Sequence, residues 1–142
     1  MPIPRALHAA EGATWGGPLL GGIAALTGPA IGLILVAGNA QALGLATRYR
    51  LYLGVACALG LATLIALARV TWPVPLVVLP AHLFGVVGVV ALAERDRAGA
   101  RRVGLPLRRA PTWLALALGA ALAAIGLAGA AIVISWVGGS RA

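Results

Sequence analysis

The sequence predicts an all-α integral membrane protein, a bundle of four transmembrane helices with both termini on the non-cytoplasmic side. Three observations predict it. Apolar residues make up 61% of the 142-residue chain and charged residues 10%, too little charge to coat a soluble domain of this size. The apolar residues fall into charge-free blocks at 12–47, 51–68, 70–93 and 110–140. Each block reaches the length of roughly 17–25 residues that a helix needs to cross hydrocarbon. Finally, the arginines concentrate between the blocks, where they orient a membrane protein. A β-barrel would require alternating polar and apolar residues, and the blocks do not alternate.

Residues 1–17 form a lead with Pro2 and Pro4 at its start and a short surface helix expected over 5–15. The apolar run that follows is too long for the core of a signal peptide and has no cleavage site, so it is expected to stay. The four-span domain covers 18–137. Its first span, 18–41, is read as one kinked helix, because Pro29 removes a backbone donor near its middle. A re-entrant hairpin turning at Gly28 is the alternative. The second span, 51–68, is bounded by Arg50 and Arg69. A stiff turn with Pro73 and Pro75 leads to the third span, 74–93. The basic loop 94–111 precedes the fourth span, 112–137, and residues 138–142 form a tail.

Arginine placement sets the expected orientation. Arg48, Arg50, Arg95, Arg97, Arg101, Arg102, Arg108 and Arg109 fall on one side, and Arg5, Arg69 and Arg141 on the other. The richer side should be cytoplasmic, which places loop 94–111 inside and both termini outside. Trp15, Trp72 and Trp136 then mark the outer interface, and Tyr49, Tyr52 and Trp113 the inner one. The basic residues are all arginine, and Ala, Gly, Leu and Val dominate, which points to GC-rich coding and a bacterial inner membrane. The net charge of +8 sits in short interspan segments, so it is read as orientation and not as a nucleic-acid footprint.

His82 is the leading candidate for chemistry, since polar groups are costly at the centre of a span. A haem b or quinone ligand shared with a partner subunit is one reading. A proton or substrate pathway is another, and a hydrogen bond to a neighbouring helix is the plainest. His8 is the other histidine and lies far from mid-span, so the chain cannot supply two axial ligands. Glu11, Glu94 and Asp96 all lie outside the spans, which weighs against a carboxylate-driven transporter. Glu94 and Asp96 are expected to pair with nearby arginines. Asn39 and Gln41 should reach headgroups, while Thr63 and Ser135 should bond back to their own helices. Cys57 cannot form an intrachain disulfide and reads as a small packing residue.

Small residues suggest close helix packing at Gly17, Gly21, Gly28 and Gly32, and along Ala115, Gly119, Ala123, Gly126 and Ala130. Arg95, Arg97, Arg101, Arg102, Arg108 and Arg109 offer contacts to anionic lipids or an acidic partner. No P-loop, dinucleotide fingerprint, metal-ligand cluster or catalytic triad is present, so no enzyme activity is expected. The expected function is an accessory, structural or assembly subunit of a larger membrane complex, such as a respiratory or other energy-converting one. The alternatives are a small oligomeric transporter or channel, and a membrane redox subunit using His82.

Overall fold

A computed structural model describes the backbone of residues 13–69, 75–105 and 107–139, and the side chains of 13–65, 80–105, 107–132 and 135. Several expectations lie outside the described residues: the surface helix over 5–15 (except for its last three residues, which are not helical), His8, Glu11, Arg5, Trp72 and Arg141, and the side chains of Arg69 and Trp136.

The described chain is all-α. Its helices are α1 (Gly17–Thr27), α2 (Pro29–Ala42), α3 (Ala46–Arg69), α4 (Pro75–Arg102) and α5 (Thr112–Gly139). Two dipeptides, β1 (Ala13–Thr14) and β2 (Arg108–Arg109), pair in parallel, with Ala13 opposite Arg108 and Thr14 opposite Arg109. Among the described residues, two segments are long and apolar enough to cross a membrane, Ala46–Ile65 and Thr112–Ile132. α4 has the same length as α5, but its last turns carry Glu94, Arg95, Asp96, Arg97, Arg101 and Arg102. The helix therefore runs on through residues expected to be loop, and the connection to α5 shrinks to 103–111. α3 likewise starts before the expected Leu51.

The first block is a hairpin, not one kinked helix. Gly28 separates α1 from α2 at φ 104° and ψ 150°, a region that only glycine enters without strain. Pro29 then opens α2 with the φ that a first helical residue needs. In a continuous helix Ala24 and Gly32 would stand about 12 Å apart along the axis. Here a Cβ on Gly32 would meet the Ala24 Cβ at 2.6 Å, so the two helices lie back to back. Each is short, about 16 Å for α1 and about 21 Å for α2 at the helical rise.

The hairpin is the hub of the fold. α3 packs on α2, α4 packs on both hairpin helices, and α5 packs on α1, α2 and α3. The core accordingly joins Leu20, Ile23 and Ala24 of α1 to Leu33, Val36 and Ala40 of α2, with Tyr52, Val89 and Ala115 from the long helices. Glycines allow this closeness where the packing is tightest. Gly21 faces Val90, Gly32 faces Val89, and Gly119 of α5 meets Ile23. Gly85 of α4 likewise leaves room for Pro29 at the hairpin tip.

The rest of the apolar surface points outward. Only 11% of each crossing-length segment is buried. Phe84 is 78% exposed and Leu127 73%. Cys57 also lies on the exposed side of α3, so it is not the packing residue expected.

Candidate functional site

The buried polar groups of the described residues, Thr14, Asn39 and Asp96, gather at one end, where the mouth of the hairpin meets the end of α4 and the start of α5. The mouth is tied by one side chain. Asn39 accepts from the Trp15 amide through Oδ1 at 2.9 Å and donates through Nδ2 to the Trp15 carbonyl at 2.9 Å. The carboxamide thus imitates a peptide group in a β-bridge. Asn39 is 1% exposed, so it is a buried clasp and not the headgroup contact expected. The Trp15 indole donates to the Pro111 carbonyl at 3.0 Å. With the β1–β2 pairing, this fastens the chain's entry to the segment before α5.

That fastening corrects the expected sidedness. Residues 13–16 lie at the same end as Arg108 and Arg109, not opposite them. Trp15 therefore shares an end with Trp113 and leaves the outer set.

Two carboxylates organise this end. Glu94 Oε1 accepts from the Gly17 amide at 2.8 Å and from Arg97 Nη1 at 3.0 Å. A carboxylate on α4 thus caps the N-terminus of α1, where free amides and the helix dipole favour negative charge. The Gly17 hydrogen bond, aided by Arg97, holds the Glu94 carboxyl below its ordinary 4.5 against the opposing effect of burial. Gly17 must be glycine here, because a Cβ would meet Glu94 Cγ at 2.8 Å. Asp96 is buried and bonds through Oδ1 to Arg48 Nη1 and, at 3.3 Å, to the Tyr52 hydroxyl. Arg48 and Tyr52 belong to α3, so this cluster straps α3 to α4 across the hairpin. Asp96 Oδ2 has no partner among the described residues. The expected pairing of both acids with arginines holds, although Arg48 is distant in sequence.

A depressed carboxyl pKa contributes stability above the unfolded value, and that contribution is lost as pH falls through the folded value. Glu94 should therefore destabilise the fold on acidification below about 4.5. Glu94→Gln keeps an oxygen for Gly17 but removes the titration. The expected result is a shallower fall in Tm below pH 4.5 than the unsubstituted protein shows, measured by thermal unfolding in detergent. The Glu94 side chain is 42% exposed, so solvent screening keeps the difference small.

Beside Glu94 a cleft of about 540 Å³ opens between α1, the end of α4 and residues 109–112. Leu19, Val90 and Trp15 wall it, and Arg97 from α4, Arg109 from β2 and Thr112 at the start of α5 reach it. Arg95, Arg101 and Arg102, which the sequence placed in the same basic group, do not line it.

His82 sits away from this end. Its Nε2 lies 3.1 Å from the Ala25 carbonyl, in the last turn of α1. The ring is half-buried beside the hairpin tip. Thr63 and Ser135 hydroxyls bond to the carbonyls of Leu59 and Ile132 in their own helices. Among the expected packing residues, Gly28 has open space around it and serves the turn instead, and Gly126 also faces open space. Ala115 is fully buried, while Ala123 and Ala130 are half-buried.

The tip itself is sparsely bonded. Gly28 N–H reaches the Ala24 carbonyl, and Gly32 N–H reaches the Gly28 carbonyl. Among the described residues, the carbonyls of Leu26 and Thr27 and the amides of Ala30 and Ile31 find no partner. Leu26 is 88% exposed beside them. No family model, curated protein or solved structure matches the chain.

Proposed function

We propose that this chain is a small polytopic membrane protein that serves as an accessory or assembly subunit of a larger membrane complex. In this reading α3, α4 and α5 cross the bilayer. The hairpin α1–α2 enters from the arginine-rich side and turns back at Gly28. Three crossings and a half-depth hairpin thus replace the four crossings expected. Eight arginines then lie at one end, which makes that end cytoplasmic by the positive-inside rule and leaves the C-terminal end of α5 outside.

The observation that carries the reading is the hairpin-tip backbone that finds no partner among the described residues. His82, level with the tip, stands about 18 Å along α4 from Glu94, which is near the middle of a hydrocarbon layer of roughly 30 Å. Free amides and carbonyls at that depth cost several kcal/mol each in lipid. Non-helical backbone survives there only against protein or against enclosed water. A partner subunit seated on the tip supplies protein, and the exposed apolar helix faces provide further lateral contact.

A pull-down of the tagged chain in mild detergent tests this. Larger membrane proteins should co-purify in fixed stoichiometry. Leu26→Trp keeps the tip apolar but enlarges it, so it should abolish co-purification while leaving Tm unchanged. A second reading, a homo-oligomeric conduit with its water at the tip, draws on the position of His82 at the Ala25 carbonyl, in the last turn before the tip. A stable pure oligomer that conducts in vesicles would replace the first reading with this one.

A further inference from the structure

We infer that the cleft between α1, the end of α4 and residues 109–112 binds the phosphate headgroup of an anionic phospholipid. The inference rests on the membrane reading above, which places the cleft at headgroup depth.

The cleft is built like an amphiphile. Leu19, Val90 and Pro18 form an apolar wall on the side towards the hairpin tip. Arg97 and Arg109 stand towards the basic end. A glycerophospholipid has the matching polarity, with acyl chains running towards the bilayer centre and phosphate at the surface. The volume of about 540 Å³ suits a headgroup with its first carbons, within the usual range of small-ligand pockets.

The charge also matches. The lining holds two arginines and one carboxylate, Glu94. That carboxylate is already engaged by the Gly17 amide and by Arg97 Nη1. Arg97 spends one nitrogen on Glu94 and keeps further guanidinium donors, and its side chain is 13% exposed and so held in place. Arg109, on the segment before α5, is exposed and lines the same cleft, so its guanidinium can close over a phosphate. Guanidinium groups bind phosphate oxygens in pairs of parallel hydrogen bonds. The amide end of α1 borders the same cleft through Gly16 and adds a favourable dipole. The Trp15 ring completes the wall, its N–H already spent on Pro111, as an interfacial aromatic would.

The position of the arginines separates this from a diffuse basic patch. Arg97 and Arg109 converge on one cavity, whereas Arg50 and Arg102 are exposed and lie outside it. Neutralising either pair removes the same charge. Only the first pair should remove the site.

The test uses the full chain purified in a neutral detergent and titrated with short-chain phosphatidylglycerol, binding being read by native mass spectrometry. Arg97→Gln with Arg109→Gln should weaken binding about tenfold or more, and Arg50→Gln with Arg102→Gln by less than about twofold. Arg109→Gln alone guards against misfolding, since it leaves the Arg97–Glu94 pair intact; it should weaken binding severalfold at unchanged Tm. Phosphatidylcholine should bind weakly to every form, and inorganic phosphate should not displace the lipid. Equal weakening by the two double variants overturns the cleft as a site. Displacement by inorganic phosphate at equal concentration overturns the lipid in favour of a free anion. A chain that fails to float with phosphatidylcholine vesicles overturns the membrane reading itself, and vesicle flotation distinguishes that failure from the other two.

Discussion

Ala13→Cys and Leu105→Cys, each in a Cys57→Ala background, are labelled by a membrane-impermeant maleimide from the same side, and Gly139→Cys from the opposite side. The hairpin requires this result. α1 and α2 are joined at their mouth by the Trp15–Asn39 hydrogen bonds, and Ala13 pairs with Arg108. A helix crossing over 18–41 would instead carry residue 13 to the face opposite Leu105. The difference is all-or-none, because a polar reporter does not share two aqueous compartments. Cells oriented by their cytoplasmic arginines should further show Ala13→Cys protected until they are permeabilised. Labelling of Ala13→Cys from the face opposite Leu105→Cys would remove the hairpin, and with it the argument for a buried tip.

The all-α character and the existence of the long helices are legible in the sequence because hydropathy integrates over a window, but it misses the charged turns that start α3 at Ala46 and extend α4 to Arg102. The same averaging hid the hairpin. Residues 18–41 have a uniformly apolar profile whether the chain continues or doubles back. The decisive signal was local: Thr27-Gly28-Pro29 places a glycine just past one helix and a proline at the start of the next. The proline reads as a kink because a half-length helix looks too short to cross. It is too short, and it does not need to cross, since α2 and α4 cover it.

The site was legible in part. Glu94 lies three residues from Arg97, a spacing that brings them together on any helix. Asp96 finds Arg48 and Tyr52 only through the fold, across a sequence separation that no spacing rule spans. The six-arginine group likewise divides only in the fold, because the pairing of β1 with β2 brings Arg109 to the cleft. Asn39 was the largest miss. A polar residue near the end of an apolar stretch normally reaches water, and here the reversal of the chain returns a backbone to it instead.

Asn39→Ala should lower stability by about 2–4 kcal/mol, measured as a shift in Tm or denaturant midpoint in detergent. Two hydrogen bonds vanish, each contributing about 1 kcal/mol net. The larger part comes from what remains. Trp15 N–H and C=O are then left without partners in a packed junction, and each unpaired buried group costs about 1–3 kcal/mol. Water entering the gap left by the carboxamide offsets some of that cost. Asn39→Asp separates the contributions. An aspartate still accepts from the Trp15 amide but presents an oxygen to the Trp15 carbonyl, so repulsion replaces a bond. If the clasp is the cause, Asn39→Asp destabilises at least as much as Asn39→Ala at neutral pH and recovers on acidification, when a protonated carboxyl can donate again. Asn39→Gln retains both groups on a longer arm and tests geometry, with an expected loss between that of wild type and Asn39→Ala. Because every long helix packs on the hairpin, opening its mouth should loosen the whole fold. Hydrogen exchange should therefore rise across α1 and α2 together, before it rises in the middle of α5. A loss confined to residues 13–16 would show that the clasp merely anchors the chain's entry and that the hairpin holds itself closed through Gly32, Ala24 and Val89 alone.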